Sequence, residues 1–457
     1  MLSLVSRLRP SNAVPTSACS PAVRLVGNVV TLVALVATFV LLLAMGVPVA
    51  FSMGIAAVVA MAVDGSLPWN MLAHTTLYGT DSFVYLSIPL FILAGSLMDR
   101  GGIASRLIKL AKVLTAGFRG GLAYSVVLFE MFFSGLSGST VADVSAMTST
   151  VVNPMQKVGY KKEHILSIIA GSSAAGILIP PCNMMIILGA LANTSILALF
   201  VAGLVPACIL FLLIISLLYF QARRLNLPRD KASSFKEIAL AIRDSLLAAG
   251  LPVAIFGAII GGIATITEVA AIAVLYSGVV GIVIYREVKI SELPKIIVDA
   301  AVSTGMILFI LGLGTIFSFI MATQQVPQLF VEFIRSTDAS PFIALFIMMV
   351  VFVVFGSVLE TVPALLIFTP IFLPVVRDLH INMLQFSMVT IAAIGLGMFL
   401  PPSGLGTLTL CAVGNVKMER LIKPLFPFVL ILFFGLIILV AFPAISSILP
   451  DYLGLRY

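Results

Sequence analysis

The sequence predicts an all-α polytopic membrane protein, an inverted repeat with two re-entrant helical hairpins and two proline-broken transmembrane helices. Three observations carry that prediction. Of 457 residues, 61% are hydrophobic and 10% charged, against about 25% charged in soluble domains. Apolar stretches of about 20 residues, enough to cross some 30 Å of hydrocarbon as helix, recur along the chain. And "GILIPPC" (176–182) returns as "GMFLPPS" (397–403), each placing Pro-Pro in the middle of an apolar run. A transmembrane barrel would instead show short alternating segments.

In chain order, residues 1–25 are polar, basic and proline-containing, lack the apolar core of a secretory signal, and are expected to be a disordered tail. Spans follow at 27–46, 48–64, 82–98, 163–192, 196–220, 247–264, 267–285, 300–321, 385–413 and 424–447. The stretches 119–157 and 341–376 are apolar but interrupted by small and polar residues, as expected of hairpins that enter and return on one side. Non-helical backbone at membrane depth survives only inside protein or along a watery cavity. Arg106, Lys109 and Lys112 recur at helical spacing within 103–115, marking an interfacial helix. Placing 99–119, 157–164, 221–244, 286–299 and 417–423 in the cytoplasm gathers 20 of the 26 Lys and Arg there, as the positive-inside rule requires. The same rule accounts for the net charge of +7 without nucleic acid.

A shift of 221 lays Pro180-Pro181 on Pro401-Pro402, Gly176 on Gly397 and Pro206 on Pro427; "LFILAG" (90–95) is echoed by "LFILGL" (308–313). The chain therefore divides into a first repeat over 26–220, a cytoplasmic linker over 221–246 and a second repeat over 247–450. The first repeat holds hairpin 119–157 and broken span 163–192, the second hairpin 341–376 and broken span 385–413. Five crossings in the first repeat send the second in from the opposite side. Inverted repeats with interrupted helices are the build of many secondary transporters, which hold ions on unwound carbonyls and half-helix ends.

The hairpin tips add Ser134, Ser137, Ser139 and Thr140 in one, and Ser357, Glu360 and Thr361 in the other. These are hard oxygen donors suited to an alkali cation, without the carboxylate cluster of a calcium or magnesium cage. Of the intramembrane acids, Glu130 and Asp143 read as braces of their hairpin and Glu268 as a helix cap, leaving Glu360 as the functional candidate. The four cysteines form no C-x-x-C pair and imply neither disulfide nor metal. There is no Walker A motif for ATP and no H-E-x-x-H for zinc. With no nucleophile–base pair either, an enzyme is not expected.

Taken together, "SGSTVADVSAMTSTVVNPMQKVGY", "GILIPP", "LFVAGLVP", "TEVAAIAVLYSGVVGIVIYREV", "LIFTPIFLPVV" and "GLGMFLPPSGLG" resemble the DctM-like permeases. These are the large membrane subunits of tripartite ATP-independent periplasmic (TRAP) transporters. The resemblance runs from about residue 27 to 447. It implies a sodium-driven, elevator-type importer of organic acids in the bacterial inner membrane, with no cofactor beyond the coupling sodium ions. Its expected partners are a periplasmic solute-binding protein and a small four-helix membrane subunit. By motif, one sodium site uses Ser137 and Ser139 with carbonyls near Gly176, Ile179 and Pro181. The mirror site uses Gly356 and Thr361 with Gly397 and the stretch before Pro401, and solute sits near Asn183, Ser403 and Thr407. Two departures stand out: Leu400 replaces the family's common Thr before the second Pro-Pro, and Cys182-Asn183-Met184 replaces Ser-Ile-Pro after the first. The competing readings are a stand-alone sodium/carboxylate symporter and a non-transporting membrane enzyme or assembly factor.

Overall fold

Helices account for nearly all regular structure in the computed structural model, which describes residues 21–137, 140–229 and 231–457. Among the described residues, nine helical segments are long and apolar enough to cross a membrane. In lipid every backbone polar group must be satisfied within the segment, which is why such runs are helical. The protein is an all-helical, multi-pass membrane protein.

An outer group begins with α1 (Pro21–Ala44), α2 (Val49–Asp64), the short α3 (Asn70–Tyr78) and α4 (Ser87–Arg100). After the amphipathic α5 (Ile103–Thr115) comes an inner group: α6 (Gly121–Ser137), α7 (Thr140–Lys157), α8 (Lys162–Gly176), α9 (Asn183–Ala192) and α10 (Ile196–Arg224). The outer group resumes with α11 (Phe235–Ile260), α12 (Ile266–Gly278) and α13 (Leu293–Thr323), followed by amphipathic α14 (Val326–Ser336). The inner group then recurs as α15 (Pro341–Val358), α16 (Thr361–Asp378), α17 (Met383–Met398), α18 (Leu405–Gly414) and α19 (Met418–Ala441); α20 (Ala444–Tyr452) closes the chain.

Local chemistry sets many of these ends. The α12 start is a capping box: Thr265 Oγ1 accepts from Glu268 N, while Thr265 N donates to Glu268 Oε2 at 2.7 Å. This is the cap expected of Glu268. Ser195 caps α10, and Asn382 caps α17 by accepting from Leu384 N and Gln385 N. α9 and α18 end on asparagines in the left-handed region, Asn193 (φ 53°) and Asn415 (φ 47°), a residue that tolerates the C-terminal turn.

Three boundaries depart from the sequence expectation. The helix expected from 247 begins at Phe235, because Ser234 N donates to Glu237 Oε2 at 2.8 Å and Ser234 Oγ accepts from Glu237 N. That reciprocal cap starts a helix in polar sequence that apolarity alone assigns to a linker over 221–246. The span expected from 300 begins at Leu293, with Pro294 in its first turn, where a missing N–H costs nothing. The first helix begins at Pro21, inside the tail expected to reach 25; residues 1–20 lie outside the described residues.

The outer helices pack among themselves: α1 on α2, α2 and α3 on α13, α4 on α12 and α13, and α11 on α12. The inner group interlocks differently. α6 packs on α8 and α15 on α17, but α7 packs on α18 and α16 on α9. Each helix pair therefore packs its first arm on its own broken helix, and its second arm reaches the other set's half-helix as well as its own, α7 touching α8 and α16 touching α17.

The two amphipathic helices precede the pairs, and each carries an arginine tied to an acid. Arg106 Nη1 reaches Glu287 Oε1 at 2.6 Å and Gly102 O at 2.8 Å, with its guanidinium carbon 3.6 Å from the Tyr285 ring centroid. Arg335 holds Asp378 through two hydrogen bonds, one of them Nε to Oδ2 at 2.9 Å. Exposed pairs of this kind contribute little to stability, because water and salt screen them. Arg335→Ala is therefore expected to leave the melting temperature of the purified protein almost unchanged.

Candidate functional site

The site grows from two places where helix stops. α8 ends at Gly176 and α9 resumes at Asn183, leaving 177–182 without helix; α17 ends at Met398 and α18 resumes at Leu405, leaving 399–404. Prolines cannot donate a backbone bond, and both Pro180-Pro181 and Pro401-Pro402 are cis. Residual turns form just before them, with Ile179 N donating to Gly176 O at 2.8 Å and Leu400 N to Gly397 O at 2.9 Å. Beyond that point, among the described residues, no backbone N–H reaches the carbonyls of Ile179, Pro180 or Pro181, nor those of Pro401, Pro402 or Ser403. Ile179, Pro180 and Pro181 are buried, whereas Pro401 is half-buried and Pro402 and Ser403 are exposed; unpaired carbonyls inside a protein are ready-made ligands for a cation.

Two glycines let the helix pairs come close to these breaks. A Cβ at Gly397 would lie 2.6 Å from Val353 O and 2.8 Å from the carbonyl carbon of Gly356, so α15 and α17 touch backbone to backbone. At the corresponding place a Cβ on Gly176 would lie 2.5 Å from Cβ and Oγ of Ser134, a side chain on α6.

Between the inner group and the outer helices lies a cavity of about 490 Å³. The first helix pair contributes Ser134 and Thr140, the first break Ile179, Pro181, Cys182 and Asn183, and the second pair Glu360, Thr361 and Val362. Met398 and Leu405 flank the second break, while Ser96 on α4 and Ser303, Met306, Ile307 and Ile310 on α13 form the opposite wall. Glu360 is the one charged side chain lining it among the described residues. Hydroxyls, one amide and free carbonyls make the remaining polar lining, a donor set for a hard cation and for hydrogen-bonding a small polar solute. No group of three or more His, Cys, Asp or Glu able to hold a metal occurs among the described residues.

Of the residues singled out in the sequence, Ile179, Pro181, Asn183 and Thr361 meet in this cavity. Gly176, Gly356 and Gly397 lie in the helix contacts around it. Pro401 is half-buried in the second break and is absent from the cavity wall. Ser403 is exposed; Thr407 is wholly buried in α18, its Oγ1 without a hydrogen-bond partner among the described residues. Neither lines the cavity. Ser137 ends α6 with its side chain undescribed, and Ser139 lies outside the described residues. Ser96 and Ser303 escaped the sequence reading; the available signal was a serine inside an otherwise apolar or small-residue span.

The other membrane acids sit away from the cavity lining. Glu130 is fully buried and accepts from Ser173 Oγ at 2.9 Å, joining α6 to α8. Asp143, at 1% exposure, is buried in α7.

Residues 36–445 match the family described as "Tripartite ATP-independent periplasmic transporter, DctM component". The C4-dicarboxylate TRAP transporter large permease protein DctM of Pseudomonas aeruginosa is 34% identical over 376 residues, 82% of this chain and 88% of that protein. The 2,3-diketo-L-gulonate TRAP transporter large permease protein YiaN of Escherichia coli K12 is 31% identical over 401 residues, 88% and 94% of the two chains. The YdaH transporter of Alcanivorax borkumensis superposes with a TM-score of 0.56 at 14% identity, over 81% of this chain and 87% of that one, a likeness of fold alone. Broken helices, a cavity at their ends and a family match spanning nearly the whole sequence agree. The chain belongs to the DctM component family of TRAP transporters, a family of large membrane permeases and not of enzymes.

Proposed function

We propose that this protein is the large permease of a sodium-coupled importer of organic acids in the bacterial inner membrane. Solute arrives from a periplasmic binding protein, and a small four-helix membrane subunit stands beside the permease. The observation that carries this reading is the convergence of the first helix break, the helix ends Met398 and Leu405 that flank the second, and both helix-pair tips on one cavity, bounded on its far side by α4 and α13. In this reading the pairs α6–α7 and α15–α16 are re-entrant hairpins of an inverted repeat. The inner group slides against the outer helices as an elevator.

Sodium bound on unwound carbonyls and tip hydroxyls supplies the positive charge that the cavity lining lacks, so ion binding makes a carboxylate solute acceptable beside Glu360. The chemistry named for the two relatives supports this, both solutes being carboxylates. The test is uptake into proteoliposomes holding permease and small subunit, with and without sodium and the binding protein. Uptake undiminished by removing both would reject it.

Thr361 opens α16 and donates Oγ1 to Met398 Sδ at 3.2 Å across the cavity edge. Losing one oxygen ligand or hydrogen bond is worth about 1 kcal/mol. Thr361→Ala is therefore expected to raise the sodium concentration for half-maximal uptake about fivefold, and Ser137→Ala to do the same at the other site. Unchanged sodium dependence in both variants would reduce these hydroxyls to packing.

A further inference from the structure

A second cavity, of about 870 Å³, lies away from the solute site, where the loop between α5 and α6 meets the end of α10. Three arginines line it, Arg119, Arg223 and Arg229, beside Tyr124 and Tyr219. Arg119 and Arg229 face each other across an isolated antiparallel bridge. Like charges placed directly opposite are destabilising, and among the described residues no carboxylate pairs with any of the three. The loops are nonetheless stitched together: Gly120 N donates to Pro228 O at 2.9 Å and Arg229 Nε to Gly117 O at 2.6 Å. The Arg223 guanidinium carbon stands 4.4 Å from the Tyr219 ring centroid. Phe118 and Tyr219, both exposed, line this region, as aromatic side chains do at headgroup level.

Three cations held together without a counter-charge among the described residues, at the end of a spanning helix and beside interfacial aromatics, call for an anion supplied from outside the chain. We infer that this cavity binds the headgroup phosphate of an anionic phospholipid from the adjacent leaflet. The arginines take the phosphate, and the exposed apolar side of α10, including Leu212 and Phe220, takes the acyl chains. Basic pockets between membrane helices are suited to such headgroups. Because the site sits on the fold alone, it stands or falls independently of which solute is carried.

The test is thermal unfolding of the full-length protein in detergent, titrated with dioleoylphosphatidylglycerol. A saturable rise in melting temperature is expected with this lipid, and none with dioleoylphosphatidylcholine or inorganic phosphate. Taking roughly a factor of five per basic residue, Arg223→Gln should raise the half-saturating lipid concentration about fivefold. Arg119→Gln with Arg223→Gln should raise it about 30-fold. Arg223 is exposed and its guanidinium stacks on the Tyr219 ring, so the single variant tests the site without endangering the fold. Lys161→Gln with Lys162→Gln, at the basic start of α8, should leave the midpoint where it was. Equal stabilisation by phosphatidylcholine, the same shift with inorganic phosphate, an unmoved midpoint in both arginine variants, or an equal shift in the lysine control would each overturn the assignment.

Discussion

Gly397→Ala is expected to cripple the protein, whereas Gly176→Ala is expected to be repairable by Ser134→Gly. The two glycines occupy matching places, yet their neighbours differ in kind. Around Gly397 the obstructing atoms are Val353 O and the Gly356 backbone, which move only if α15 and α17 separate. Forcing a methyl into such a contact costs about 1–3 kcal/mol, and more where nothing yields. It also displaces the carbonyls that begin the second break. Around Gly176 the nearest atoms belong to the Ser134 side chain, and deleting that side chain makes the room. The Ser134→Gly change itself weakens α6 by under about 1 kcal/mol. Melting temperature and sodium-driven uptake of the two singles and the double variant decide the matter. Wild-type melting in Gly397→Ala, or a double variant no better than Gly176→Ala, would refute the close approach.

Ser303→Trp is expected to lower uptake more than 100-fold while leaving the melting temperature near that of the parent. Ser303 stands on α13 in the wall facing the helix-pair tips, and its hydroxyl donates to Asp299 O one turn back, at 3.0 Å. Ser303→Ala therefore loses a local backbone bond of small value and should transport normally. The indole, by contrast, has an open space of about 490 Å³ to occupy, near the lower end of the range for small-molecule sites. It fills solute volume without compressing a closed core. Initial rates in proteoliposomes measure the effect, and near-normal rates in the tryptophan variant would place the solute route elsewhere.

What the sequence revealed was local chemistry repeated at a fixed offset. Pro-Pro within apolar sequence marks both breaks, and Arg106, Lys109 and Lys112 marked α5 over its observed bounds, Ile103–Thr115. Small residues at 134–140 and 356–361 located both tips. What it concealed depends on cooperation or distance. The α11 start rests on a Ser234–Glu237 cap that apolarity does not register. α14, "VPQLFVEFIRS", is too short and too mixed in character to read as a span, and it fell between 321 and 341 unassigned. Ser96 and Ser303 join the cavity only because α4 and α13 pack together against the inner group. Among the oxygen donors, position along the chain did not distinguish Thr361, in the cavity, from Thr407, sealed inside α18.

The exchange of partners, α7 with α18 and α16 with α9, has an outcome for assembly. Neither half buries all of its own contact surface: α7 needs α18 as well as α8, and α9 needs α16. A polypeptide ending at residue 220 would leave the α18-facing side of α7 and the α16-facing side of α9 uncovered, so these contacts close only once the later helices are made.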